Sequence, residues 1–255
     1  MKKQIKAAQL GCGQLGKPWL HYVSGKHNWN VDLFKNTDDF KAHEYDCIFL
    51  AVRDIALDAI ISKLKDTSAV LIHFSGSLYF KEAFGVHPVY SFPLKSLSEQ
   101  KKRPAQKLKK ETEAEVETKA NVDFNSLNWV VDSRSLPDFV KELLGESIYT
   151  IDPSRKKAYH NYLSVSSNMS QLLSYLMGET FNQQTGLPPE ILKSLLLQSI
   201  ESEREYGVKS FSGPWVRGEK ALQDVRVEEI KDHLLSLENN HFNKLIEVYN
   251  EHYKV

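Results

Sequence analysis

Apolar residues follow two rhythms in this chain: short unbroken runs in the first half and helical repeats beyond position 152. Residues 5–10 form an apolar-leaning run ending in glycine, after which Leu15, Trp19, Tyr22 and Val23 recur at helical spacing. Trp29–Phe34 reads as a second strand. Residues 46–52 and 69–74 are near-continuous apolar runs, as in strands covered on both faces, with a helical repeat over 55–64 between them. Shorter strands are expected over 84–86, closed by His87-Pro88, and over 128–132, followed by a helix over 137–144. This alternation predicts a doubly wound parallel sheet.

From Asp152 onward the pattern is helical. Asp152-Pro153 supplies an N-cap and a first-turn proline. Tyr159, Leu163, Met169, Leu172, Leu173 and Leu176 then recur until Gly186-Leu-Pro-Pro stops the helix. Three more helices fit 190–206, 227–237 and 241–253. The long first helix is apolar on more than one face, which predicts burial by neighbouring helices, those of a second subunit included. The fold class is therefore α/β: an N-terminal domain over 1–150 and an all-helical domain over 151–255.

Residues 98–120 interrupt the pattern with a basic stretch followed by an acidic one. A solvated insertion is the expected reading. A nucleic-acid-binding tract would interleave aromatics, and this one has none and an acidic neighbour. Lys plus Arg equal Asp plus Glu at 33 each, so net charge gives no reason to expect nucleic acid or membrane as a partner. No leader-like apolar segment follows the N-terminal Met-Lys-Lys, and no run nears the roughly 20 apolar residues of a membrane span. The two cysteines, Cys12 and Cys47, have no metal-binding spacing. A reduced, cytoplasmic setting and no metal site are expected.

The chemistry starts at Gly11-Cys12-Gly13-Gln14-Leu15-Gly16, between the first strand and the first helix. In a dinucleotide-binding turn the first glycine makes the tight turn, the second lets the backbone approach a pyrophosphate, and the third lets helix pack on strand. Amides at the helix start then face the phosphates. Pro18 is expected to remove one early helical hydrogen bond. In an open α/β sheet the ligand lies beyond the carboxyl ends of the strands. Ala51, Val52 and Ser75 sit at such ends and join the glycine turn as expected cofactor contacts. Lys35 and Asn36 leave the second strand about 20 residues beyond the glycines, where a base accommodates the 2′-phosphate of NADP. A merely solvated strand-end lysine is the other reading.

Three of the nine histidines stand out. His87 ends a strand beside Pro88, facing the nicotinamide or serving a structural turn. His73 is read first as a satisfied polar group near a strand end. His160 and Asn168, eight residues apart on the long helix, lie about 80° apart around it and can border one cleft. Together they would hydrogen-bond a carbonyl or imine and deliver a proton, since imidazole titrates near neutrality. Helix packing is the alternative for each.

These residues, with Ala51-Val-Arg-Asp54, His73-Phe-Ser-Gly76, His87-Pro-Val-Tyr-Ser91, Tyr159-His160, Ser167-Asn168 and Ser212-Gly-Pro-Trp-Val-Arg217-Gly-Glu219, carry a family likeness. The chain resembles Rossmann-like oxidoreductases whose C-terminal half is a domain of unknown function. They lie within the 6-phosphogluconate-dehydrogenase-like superfamily, near pyrroline-5-carboxylate reductase and the deazaflavin-dependent NADP reductases. The resemblance implies an NADP-binding domain, a dimerising helical domain and a small-molecule substrate held between them. Better-known relatives use a helical Lys-x-x-x-Asn pair. With Asn168 as that asparagine, Ser164 stands at the lysine position, leaving His160 to act as acid or an imine reduction to need less acid catalysis. Gly213-Pro214 and Arg217 would close the cleft on an anionic substrate, or form an inter-helix turn. The expectation is an NADP-dependent oxidoreductase acting on a carbonyl/alcohol or imine/amine pair; a non-catalytic NADP(H)-binding sensor or complex subunit is the alternative.

Overall fold

A computed structural model describes residues 4–26, 28–35, 40–92, 122–132 and 135–210. Asn36, the charged segment 98–120, Gly213-Pro214, Arg217 and the helices expected over 227–237 and 241–253 lie outside the described residues. The described residues contain seven strands, the first six where apolar runs fall: β1 (Ile5–Leu10), β2 (Trp29–Phe34), β3 (Cys47–Leu50), β4 (Val70–His73), β5 (Phe84–Pro88), β6 (Trp129–Asp132) and β7 (Ile148–Ile151). The helices are α1 (Gly16–Ser24), α2 (Asp54–Leu64), α3 (Asp138–Leu144), α4 (Lys156–Thr185) and α5 (Pro189–Tyr206).

The strands form one sheet in the order β2-β1-β3-β4-β5-β6-β7. Strand order reverses between β1 and β3, which makes the carboxyl end of that pair the switch point of the sheet. β2, β1, β3, β4 and β5 run parallel, whereas β6 pairs antiparallel to β5, with Val86 opposite Val131 and Pro88 opposite Trp129. The doubly wound parallel sheet expected above thus holds over its first five strands and is extended by an antiparallel pairing at β6. An apolar run records that both faces of a strand are covered and not which way the strand points. β7, parallel to β6 at the sheet edge, was not expected at all. Its Tyr149 and Thr150 are exposed, so its apolar pattern is faint.

Alternate residues of the strands feed two cores. Ala7, Phe49, Ile72 and Val131 face α1 and α3, which add Trp19, Val23, Val140 and Leu143. Ala8, Ile48, Leu50 and Leu71 face α2, which adds Leu57, Ile61 and Leu64. Trp19 is 1% exposed and meets the rings of Phe49, Phe74, Phe124 and Trp129 edge-on. This packing fixes α1 although Pro18 interrupts its first turn. The flanking bonds survive, Lys17 N–H to Gly13 O at 3.1 Å and Trp19 N–H to Leu15 O at 3.0 Å.

The chain divides into two compact units, Met1–Ser170, which contains the sheet, and Gln171–Val255. In the second, Gly186 turns the chain with a left-handed φ of +71° and donates its N–H to Asn182 O before α5 begins. Met169 and Leu173 of α4 and Ile191, Leu195, Leu197 and Ile200 of α5 are exposed apolar side chains. Among the described residues no helix is long and apolar enough to cross a membrane.

Candidate functional site

The glycine turn is shaped by the strand before it and the strand beside it. Gly11 has a φ of +94°, and a β-carbon there would run into the Ala51 carbonyl at the end of β3. At Gly16 a β-carbon would lie 2.8 Å from Gly11 O and 3.2 Å from Ala51 Cβ. Both positions need glycine to let the loop nest against β3. Gly13 differs: nothing lies within 4 Å of where its β-carbon would be. From beneath, the fully buried Gln9 side-chain amide donates to Gly11 O at 2.8 Å and Gly16 O at 2.7 Å. Gln9 stands out in the sequence as a lone amide in an apolar run, a signal passed over above. No side chain caps α1; Lys17 N–H is bonded to Gly13 O and Pro18 has none, so an anion would be met by amides of the preceding loop across the open face of Gly13.

The end of β2 is tied to this turn, since Gly11 N–H donates to Phe34 O at 3.2 Å. Lys35 follows directly and is exposed. Asp32, the nearby acid, accepts a hydrogen bond from the Tyr45 hydroxyl at 2.9 Å. Burial, aided by that carboxylate, pushes the Tyr45 phenol up to about 12, so it remains a donor. The acid is thus engaged by Tyr45, while among the described residues Lys35 has no such partner.

At the ends of β3 and β4 the chain makes a second polar rim. Ala51 and Val52 are partly exposed, and Arg53 precedes α2 in extended backbone. The Ser75 hydroxyl donates to Asp54 Oδ2 at 2.8 Å and accepts from Leu78 N–H at 3.1 Å. Ser75 is therefore a brace joining the β4 exit loop to α2, with Cys12 and Gln14 lying in the glycine loop itself.

His87, at the end of β5, meets the start of α4 over Gly76. Its Nδ1 lies 2.8 Å from the Tyr159 hydroxyl, and its ring centre is 5.6 Å from that of His160. A β-carbon on Gly76 would clash with His160 Cδ2 and lie 3.0 Å from His87 Nε2. Bare backbone at Gly76 is what lets the two imidazoles converge. Burial, then the neighbouring His160 and Lys156 charges, pushes His87 down to about 4, so it is neutral at pH 7. Burial also pushes Tyr159 up to about 12, which keeps its hydroxyl protonated.

Behind His87 lies a buried charged group. Lys156 Nζ is 3.8 Å from Asp132 Oδ2, with the two side chains 3% and 0% exposed. Asp132 also accepts from Gly85 N–H at 3.0 Å, and a β-carbon on Gly85 would lie 3.1 Å from His73 Cε1. His73 is fully buried and its Nδ1 accepts from Ser75 N–H at 3.3 Å. Asn168 lies about 12 Å further along α4 than His160, at 1.5 Å per residue, and is exposed. His87 and His160 are thus brought together, and Asn168 stands apart from them. Tyr159, Lys156 and Asp132 were not foreseen. Lys156 sits in the run Arg155-Lys156-Lys157, where nothing in the pattern separates a buried lysine from solvated neighbours. Among the described residues no cluster of three or more His, Cys, Asp or Glu is arranged to hold a metal.

A glycine turn between β1 and α1 at the switch point, with polar groups gathered along the same edge, defines a Rossmann-like α/β domain followed by helices. The comparisons agree on that class. Residues 133–252 match the family model described as a domain of unknown function, DUF2520. A crystal structure of a Thermotoga maritima protein superposes with a TM-score of 0.60 at 19% identity, covering 96% of this chain and 97% of that one. A putative NADP oxidoreductase from Bacteroides fragilis gives 0.61 at 14% identity, covering 97% of each. Plasmodium falciparum pyrroline carboxylate reductase, solved with NADP bound, gives 0.52 at 16% identity, covering 98% of this chain and 96% of that one. At these identities the likeness is one of fold. No curated protein sequence matches the chain.

Proposed function

We propose that the protein is an NADP-dependent oxidoreductase that interconverts a small carbonyl or imine with the corresponding alcohol or amine. The reading rests on the open space at Gly13 before the uncapped start of α1, on the same sheet edge as the His87–Tyr159–His160 group. The neighbouring solved structures whose names include NADP reductases support it. Residues Gly11–Gly16 would hold the pyrophosphate through backbone amides, and Lys35 would meet a ribose 2′-phosphate. Ala51 and Val52 would border the cofactor past the switch point. When bound, the nicotinamide supplies or accepts the hydride. In the reducing direction His160 would deliver the proton that the substrate oxygen or nitrogen takes up as its carbon is reduced. His87 would orient the reacting group, and Asn168, about 12 Å further along α4, would meet a more distant part of the substrate.

Purified protein should oxidise NADPH in the presence of a member of a carbonyl and imine panel. On that substrate His160→Ala should lower kcat about 100-fold, in the range of lost general acid catalysis. Asn168→Ala should lower it less, and neither should change NADPH affinity appreciably. Unaltered kcat in both variants would remove these residues from the mechanism. Tight NADPH binding without turnover across the panel would favour a sensor.

A further inference from the structure

The two imidazoles over Gly76 differ in their surroundings, and the difference assigns them different tasks. His87 is gripped at Nδ1 by Tyr159 and flanked by buried groups, while its Nε2 edge faces the bare backbone of Gly76. The Tyr159 hydroxyl stays protonated and lies 2.8 Å from Nδ1, where it can donate to that nitrogen. With Nδ1 accepting, a neutral ring carries its proton on Nε2, on the Gly76 side. The same ring does not readily become imidazolium, first because it is buried and then because His160 and Lys156, the first residue of α4, lie nearby. Asp132 on β6 compensates that lysine directly at 3.8 Å, and the pair occupies the space beside Gly85, two residues before His87.

We propose that His87 acts as a neutral hydrogen-bond donor, presenting Nε2–H to the oxygen or nitrogen of a C=O or C=N substrate, and that the Lys156 ammonium, paired with Asp132 beside Gly85, is a positioning group that helps to hold it in this state. The inference rests on the oxidoreductase reading for its substrate and deepens it: the reacting centre must be an acceptor, polarised by His87, while His160 carries the proton. Tyr159 and His160 from α4 face His87, and Lys156 from α4, Asp132 from β6 and His73 from β4 gather around Gly85, two residues before it. A donor that remains neutral polarises the acceptor without surrendering its own proton, so the ring returns unchanged after each turnover.

The test is ¹⁵N NMR of the histidine rings, assigned with His87→Gln, in the full-length protein without substrate. The wild type should show His87 as the Nε2–H tautomer, titrating only near pH 4. Lys156→Met should raise that midpoint by about one unit, the usual effect of removing a close like charge, and Lys156→Arg should restore it. Lys156→Met removes the ion pair of buried Asp132, so Lys156→Met/Asp132→Asn is measured too and should also raise the midpoint. An Nδ1–H tautomer, or titration near the ordinary histidine value in the wild type, overturns the proposal. A midpoint unmoved in the folded double variant overturns the role of Lys156. None of these readings needs cofactor or substrate, so a failure here leaves the NADP reading standing, and a failure to bind NADPH leaves the histidine result standing.

Discussion

Single residues carry most of the chemistry, and their environments decide what they do. Gly11, Gly13 and Gly16 are alike in sequence, yet two are required by packing against Ala51 and one faces open space. The sequence pattern located all three because the turn is local. His87 and His160 were also visible, as strand-end and helix residues. Lys156 and Asp132 were not, because their burial depends on β5, β6 and α4 meeting, a long-range event with no local mark. One consequence concerns stability. The folded His87 titrates at about 4 and an unfolded histidine at about 6.5. Between those values the unfolded chain binds a proton that the folded one refuses. The free energy of unfolding therefore falls as pH drops through this window, by roughly 3 kcal/mol in total. His87→Gln should flatten that part of the dependence in denaturant titrations between about pH 7 and about pH 4.5. A wild-type slope no steeper than the variant's would contradict the buried neutral ring.

At the level of elements, strands with strong apolar runs were legible almost to the residue. β1 and β2 fall where the pattern put them. Direction and edge position were not legible, so β6 turned out antiparallel and β7 emerged only in three dimensions. The helices raise a separate point. A soluble helix ordinarily hides its apolar stripe, yet α5 exposes Ile191, Leu195 and Ile200, with Leu195 at 56%. We propose that a second copy of the chain covers this stripe. Light scattering after size exclusion should then give a dimer mass, and Leu195→Glu should shift it toward monomer while leaving the helical circular dichroism intact. A wild-type monomer at all practical concentrations would sink the proposal.

For the whole molecule, an α/β sheet with a glycine turn at its switch point is the arrangement that the proposed dinucleotide cofactor would need. Fold alone never supplies a function; the particular residues along the sheet edge do. The decisive measurement is calorimetric titration of the protein with NADPH and NADH, in parallel on wild type, Gly13→Val and Lys35→Asp. Wild type should bind NADPH at least about tenfold more tightly than NADH, a difference of about 1.4 kcal/mol. Lys35→Asp should erase that preference. Gly13→Val should melt at the wild-type temperature, because nothing crowds that position, and yet lose both dinucleotides. No NADPH binding by the wild type, or undiminished binding by a folded Gly13→Val, would contradict the assignment of this edge as a dinucleotide site.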